Sequence, residues 1–207
     1  MSADAPNLPP AEPGGAAAGN PPRQIFNDHA PPRSFREVLW TLVSSTVFRW
    51  VPNRFVGWRR WLLRRFGARI DGTCFVDRTV VVRCPWNLAV GSATVVHHNV
   101  ILDCMGSVAL GSGSRISQYS HLCTRTHDYR DQAMHVLSQP IVVDDFVWIA
   151  ADAYVGPGVT IGPRTIVGAR SSVLGDLPPD VTAVGEPARA IRSRLGGAVP
   201  AVDGSDD

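Results

Sequence analysis

Aliphatic residues return at every sixth position through the middle of the chain. Ile70, Val76 and Val82 begin the series, Val90, Val96 and Leu102 continue it, and Leu110, Ile116 and Leu122 follow. The series breaks at the polar stretch CTRTHDYRD (Cys123–Asp131). It resumes as Val143, Ile149 and Val155, then Ile161, Val167 and Val173. All fifteen positions are Ile, Leu or Val. A period of six does not fit an amphipathic helix, which needs about 3.6. It fits a coil in which each hexad supplies one short strand and one corner, with one aliphatic side chain turned inward. Three hexads close a triangle, so the pattern predicts an all-β parallel β-helix of about five coils. Gly91, Gly111, Gly156, Gly162 and Gly168 follow interior positions and are expected at corners that need permissive backbone angles. Thr94, Ser114, Ser120, Val147, Ala153, Val159, Thr165 and Ser171 put a small or β-branched residue two places before the aliphatic one.

Helical spacing appears ahead of the repeat. Ser34-Phe35-Arg36-Glu37 is a capping-box pattern before an apolar run. It predicts a helix from about Phe35 to Val51, ended by Pro52. RFVGWRRWLLRRFG predicts a second helix, stopped at Gly67. Between Phe35 and Ile70 lie eight Arg, one Glu and Trp40, Trp50, Trp58 and Trp61. Such a segment suits a cap over the end of the coil, and it equally suits a surface resting on anionic lipid. Residues 1–33 and 196–207 are poor in apolar side chains and are expected to be disordered. The domain boundaries that follow are 34–69 for the helices, 70–177 for the β-helix and 178–195 for a closing segment with a short helix.

Composition narrows the function classes. A formal charge of +2 over 207 residues argues against a nucleic-acid partner. All twenty basic residues are Arg, which excludes a lysine mechanism. Cys74, Cys84, Cys104 and Cys123 form no C-x-x-C pair and are expected to be free thiols. No secretory-signal pattern and no membrane-spanning run is present, so a cytoplasmic setting is expected, with contact at the inner face of the membrane through residues 35–66.

The stretch VDDFVWIAADAYVGPGVTIGPRTIVGARSSVLGDLPPDVTAVGEPARAIR resembles the C-terminal half of hexapeptide-repeat acetyltransferases. The resemblance runs from about Ile70 to Arg194. The Trp-rich segment ending LLRRFGARI is similar to the branch that acetylates sugars for colanic acid and other exopolysaccharides. The resemblance implies a left-handed parallel β-helix, acetyl-CoA as acyl donor without a required metal, a homotrimer, and a sugar or lipid-linked glycan as acceptor. Three positions depart from the family pattern: Ala150 and Arg170 where Gly is usual, and Gly175 where Lys is common.

His127 stands where the third coil ends and a loop of about fifteen residues (128–142) begins, too long for a simple connection. The resemblance makes His127 the general base that takes the acceptor hydroxyl proton. A sugar hydroxyl ionises far above neutral pH, and imidazole suits that task. By the same resemblance Asn99 positions the substrate, although a turn residue tolerant of left-handed angles has the same appearance. From the loop itself, Asp128 and Tyr129 are expected to shape the acceptor pocket and Asp128 or Asp131 to orient His127, although an ordinary solvated loop has the same appearance. Trp148 matches the V-W-I tryptophan near the acyl site. Backbone groups at Ala151 and Ala169 hold the pantetheine arm, while Arg189 and Arg192 meet the CoA phosphates or cap a solvated helix end. Two rival readings share the fold. One is a carbonic-anhydrase-like zinc site drawn from His97, His98, His121, His127 and His135; the other is a scaffold without catalysis.

Overall fold

The computed structural model describes residues 24–26 and 34–196. The remaining parts of the two expected tails lie outside the described residues. Residues 70–183 wind into a three-sided parallel β-helix. Face 1 stacks the strands Arg69–Ile70, Leu88–Val90, Val108–Leu110, Ile141–Val143 and Thr160–Ile161. Face 2 stacks Phe75–Val76, Val95–Val96, Arg115–Ile116, Trp148–Ile149, Ile166–Val167 and Val181–Gly185. Face 3 stacks Val81–Val82, Ile101–Asp103, His121–Cys123, Tyr154–Val155 and Ser172–Val173. Register pairs like with like: Val90 with Leu110, Ile116 with Ile149, Leu122 with Val155. The fifteen hexad aliphatics form three interior columns, and none exceeds 6% exposure.

The columns run one step further than the hexads predicted. Leu177 bridges to Ile161 on face 1, and Ala183 pairs with Val167 on face 2. A sixth, partial turn therefore closes the stack. The spacing hid it because the run Leu177-Pro178-Pro179 shortens the step from the fifth turn. The expected short C-terminal helix is also absent. Val181–Gly185 turns back and pairs antiparallel with Ala188–Ser193. Gly185 at φ +107° and Pro187 occupy the reversal. The antiparallel edge offered by Val181–Gly185 takes up the backbone groups of the basic run that follows Pro187, which is therefore a strand.

The corners also differ in cause from the expectation. Gly91, Gly111, Gly156, Gly162 and Gly168 do not have positive φ; Ala93, Asn99, Tyr119, Phe146, Asp152, Arg164, Arg170 and Asp180 do, at 54–65°. At three of the five, glycine is required for space. A Cβ on Gly91, Gly111 or Gly162 would lie 2.5–2.7 Å from the backbone of the next coil. Buried hydroxyls tie the corners together. Ser114 Oγ donates to the Asp144 carbonyl at 2.7 Å, Ser120 Oγ to Ala150 at 2.9 Å and Thr165 Oγ1 to Pro178 at 2.6 Å. Each uses the donor that burial would otherwise leave costly.

The N-terminal helices cap the first coil. Helix α1 (Phe35–Val43) begins with the predicted capping box between Ser34 and Glu37. It continues through a π-helical turn, Ser44–Phe48. The hydroxyls of Ser44, Ser45 and Thr46 bond back to carbonyls of the preceding turn there, a competition that widens a helix. Helix α2 (Val56–Arg65) ends at Gly67 in a left-handed conformation, with Gly67 N donating to Arg64 and Ala68 N to Leu63. Trp40, Phe48, Leu62 and Leu63 are buried against the coil, and Trp40 Nε1 donates to the Val82 carbonyl at 2.7 Å. Trp50, Trp58 and Trp61 remain exposed.

Ile149→Ala, in the middle of the face 2 column, is expected to lower unfolding free energy by about 2–5 kcal/mol, read from urea midpoints at fixed protein concentration. Gly111→Ala should cost about 1–3 kcal/mol by overpacking. Gly175→Ala, whose added methyl meets nothing within 4 Å, should leave the midpoint unchanged.

Candidate active site

The break in the repeat is an arm. The strand Arg125–His127 leaves face 3 and pairs antiparallel with Val136–Ser138. Gln24–Phe26, inside the segment expected to be disordered, adds antiparallel to the other edge of Val136–Ser138. The chain then re-enters face 1 at Ile141. Leu137 roots the arm by burial, whereas the His127 side chain is exposed. Thr126, His127, Asp128, Tyr129, Arg130 and Leu137 line a cleft of about 130 Å³. Three of the expected site residues, His127, Asp128 and Tyr129, thus share one cavity.

His127 is oriented by a group that sequence reasoning missed. Its Nδ1 lies 2.7 Å from the carbonyl oxygen of Met134. A carbonyl only accepts, so Nδ1 carries the proton of the neutral ring and Nε2 keeps a free lone pair. Neither candidate carboxylate does this work. Asp128 accepts from Arg130 N at 3.1 Å. Asp131 accepts from Ala133 N and pairs with His135, and these contacts hold its carboxyl below the usual range. Both aspartates fold the loop that presents Met134. A backbone carbonyl has no side-chain signature, so no motif could have pointed to it.

The other expected residues lie along the edge between faces 2 and 3. Asn99 occupies a left-handed corner, φ 57°, and its amide donates to Thr79 Oγ1 at 2.8 Å. Above it the corners stack: Tyr119 N donates to His98, Asp152 N to Gln118 and Arg170 N to Ala151. Ala151 and Ala169 therefore sit one above the other on this edge. Trp148 stands outward on face 2, half-exposed, with Nε1 donating to Ser117 Oγ at 3.0 Å. Arg189 and Arg192 are exposed on the strand Ala188–Ser193, which extends face 2 at the far end. Arg170, one of the departures from the family pattern, lies 3.5 Å from Asp152 between the two alanine levels. One chain consequently carries two separate groups. His127, Asp128 and Tyr129 are on the arm beyond face 3. Asn99, Trp148, Ala151, Ala169, Arg189 and Arg192 are on face 2 and its edge with face 3.

Within one chain the described histidines do not come together. His97 and His98 sit on the 2–3 edge, His121 on face 3, and His127 and His135 on the arm. Among the described residues, the one set of three ligand atoms close together is Asp103, His121 and Cys123, within 4.8 Å of one another. Asp103 is already bonded to Arg125 at 2.9 Å, with Arg83 at 3.6 Å, and two guanidinium groups oppose an added cation. Burial lowers the His121 pKa and lifts that of Tyr154, packed edge-on against it, to about 12. The cysteines are free, and burial pushes the Cys74 thiol up to about 11 and the Cys84 thiol to about 12, which keeps them protonated.

A hexad-built prism with a histidine-bearing arm defines a class, and comparison with known proteins agrees with it. The bacterial transferase hexapeptide (six repeats) family matches residues 140–175. The chain is 43% identical over 157 residues to a protein named for colanic acid biosynthesis, the acetyltransferase WcaF of Escherichia coli, covering 76% of this chain and 86% of that one. It is 28% identical to the galactoside O-acetyltransferase of Escherichia coli over 65% of this chain and 68% of that one. A hexapeptide-repeat acetyltransferase of Vibrio cholerae, solved with acetyl-CoA, superposes with a TM-score of 0.72 at 27% identity, covering 81% and 92% of the two chains. The chain belongs to the hexapeptide-repeat acetyltransferase family, and its coil is the left-handed parallel β-helix of that family.

The tautomer is directly measurable. A histidine-selective nitrogen-15 spectrum at neutral pH is expected to show His127 protonated at Nδ1 and bare at Nε2. Protonation at Nε2 instead would mean that the Met134 carbonyl does not orient the ring.

Proposed function

We propose that the protein transfers the acetyl group of acetyl-CoA to a sugar hydroxyl in the assembly of a surface glycan of the exopolysaccharide type. The observation that carries this reading is the His127–Met134 contact, which leaves Nε2 as a base at the mouth of a cleft. In the reaction Nε2 accepts the proton of the acceptor hydroxyl as its oxygen attacks the thioester carbonyl. The tetrahedral intermediate collapses with loss of the CoA thiolate, and the imidazolium returns the proton to that sulfur. Atoms and charge balance without a metal. Positioned proton transfer of this kind contributes roughly 10²–10⁴-fold.

The separation of the two residue groups supports a homotrimer. The arm of one copy would meet the 2–3 edge of the next, so that His127 of one chain faces Asn99, Ala151 and Ala169 of its neighbour. Cyclic symmetry repeats this three times. In that cleft Asn99 and Tyr129 hold the acceptor, and Trp148 lines the acyl site. The two alanine backbones bind pantetheine, and Arg189 and Arg192 meet the CoA phosphates. No helix among the described residues is long and apolar enough to cross a membrane. We assign the work to the cytoplasm, at the inner membrane face, with residues 35–66 offering exposed Trp and Arg to anionic lipid.

Release of free thiol from acetyl-CoA, assayed over a panel of sugars, tests the reading. Release should require an acceptor, and His127→Ala should lower kcat by about 10²–10⁴-fold while CoA binding persists. Release that survives the substitution, or failure to bind CoA in titration, would sink the assignment. Sedimentation equilibrium should return a mass of three chains.

A further inference from the structure

The outer surface of face 3 carries charges that proton transfer at His127 does not use. Arg83, Asp103 and Cys123 each follow an interior aliphatic, Val82, Leu102 or Leu122, by one residue. The coil therefore stacks them in one outer column at the end of face 3. Asp103 sits in the middle of it, its side chain only 5% exposed. Two arginines hold its carboxylate. Arg125 donates to Asp103 Oδ2 through Nε at 3.3 Å and Nη2 at 2.9 Å, and Arg83 Nε stands 3.6 Å from the same oxygen. Two guanidinium groups against one carboxylate leave one positive charge. His121, on the same strand as Cys123, adds none at neutral pH, because burial lowers its pKa. The excess faces water: the Arg83 side chain is 56% exposed and that of Arg125 37%. The buried carboxylate acts as a strut that fixes a guanidinium fork before anything binds, which lowers the ordering cost of a ligand.

The cluster is also incomplete. Asp103 Oδ1 and His121 Nε2 are both buried with no hydrogen-bond partner. Leaving such atoms unpaired costs free energy, so both are directed at a group that the chain itself does not supply. Asp103, His121 and Cys123 bring ligand atoms within 4.8 Å of one another, a separation that one hydroxyl can bridge. The guanidinium groups that oppose a cation here attract an anion. Arg125 uses two of its five N–H donors on Asp103, and the rest remain for a second carboxylate, whose two oxygens match the fork.

Position ties the cluster to the chemistry. Arg125 and His127 alternate with Thr126 along the strand Arg125–His127. Their side chains therefore lie on one face of it, about 7 Å apart along the chain. A sugar with its reactive hydroxyl at His127 would bring a carboxylate on the same ring, or on the adjoining one, to Arg125 and Arg83. A further hydroxyl would meet Asp103 Oδ1 and His121 Nε2.

We propose that Arg83 and Arg125, braced by Asp103, form a carboxylate subsite, and that the acceptor is an acidic sugar, a uronic acid or a glycan that carries one at the acetylated unit. The inference rests on the acetyltransferase reading and names its acceptor class. A neutral sugar has hydroxyls for Asp103 and His121 but offers the two guanidinium groups no charge.

The probes are oligosaccharides containing glucuronic or galacturonic acid, each paired with the same oligosaccharide after reduction of its carboxyl groups to alcohols. Thiol release from acetyl-CoA by the full-length protein is measured with both members of each pair, and calorimetric titration is used for any pair that is not turned over. The acidic member is expected to show kcat/KM, or affinity, about tenfold higher or more, the worth of one charge-assisted hydrogen bond. The preference should shrink as salt is raised. Arg83→Gln should reduce the preference about tenfold, through KM and not kcat. Arg83 is exposed and the substitution leaves the Asp103–Arg125 pair in place, so the fold is kept. Arg125→Lys, which retains the charge without the fork, should lose less of the preference than Arg125→Gln. Equal values for the two members of every pair, binding of neither included, overturn the proposal. So does a preference that survives both Arg83→Gln and Arg125→Gln, since the arginines would then serve only to neutralise Asp103. Failure of the wild type to bind CoA would instead count against the acetyltransferase reading itself.

Discussion

Everything in this molecule depends on the close stacking of one coil on the next. Strand spacing in a parallel sheet is about 4.8 Å, and three flat sheets share one narrow interior. Each hexad turns one aliphatic side chain inward to match the one above it, and the residue two places earlier is buried beside it, as at Val100, Ser114 and Val159. The outer corners obey the same spacing. Where the backbones approach most closely, at Gly91, Gly111 and Gly162, a methyl group would already collide. Where the chain turns, residues other than glycine accept left-handed angles, because stacking from above and below over-determines them.

A solenoid this regular presents little relief for chemistry. Function enters where the regularity is interrupted. The arm after the third coil lifts His127 clear of face 3, and its loop is folded by two aspartates so that the Met134 carbonyl fixes the ring. The carboxylates act at one remove, through loop shape, which is why their proximity in sequence to His127 was a misleading guide. The residues proposed for the cofactor lie along a corner column, where repeated backbone groups form a rail of constant pitch. An extended cofactor arm suits such a rail, and a histidine on a projecting arm suits a neighbour's groove.

The cap solves a different problem. The first coil would leave Val76 and Val82 open to water at its lower end, and Trp40, Phe48, Leu62 and Leu63 close it. Arg59 spends its buried charge on carbonyls of the turn between the helices, which stiffens a surface that leaves other aromatic side chains outside. Trp40 points inward and belongs to the fold, whereas Trp50, Trp58 and Trp61 stay outside.

The amino-acid sequence by itself determined the coil, because a period of six with fifteen matching aliphatics has one packing solution. It determined the capping box at Ser34, the stop at Gly67 and the point where the chain leaves the coil, since each depends on neighbours within a few residues. Tertiary structure alone decided the rest. The sixth partial turn depends on Leu177 and Ala183 meeting columns laid down earlier. The basic C-terminal run is a strand and not a helix because a sheet edge waits beside it. The orientation of His127 comes from a backbone carbonyl, and the division of the site into two groups comes from the angle between prism faces. Backbone acceptors and inter-face angles leave no trace in side-chain order, so only folding brings them into being.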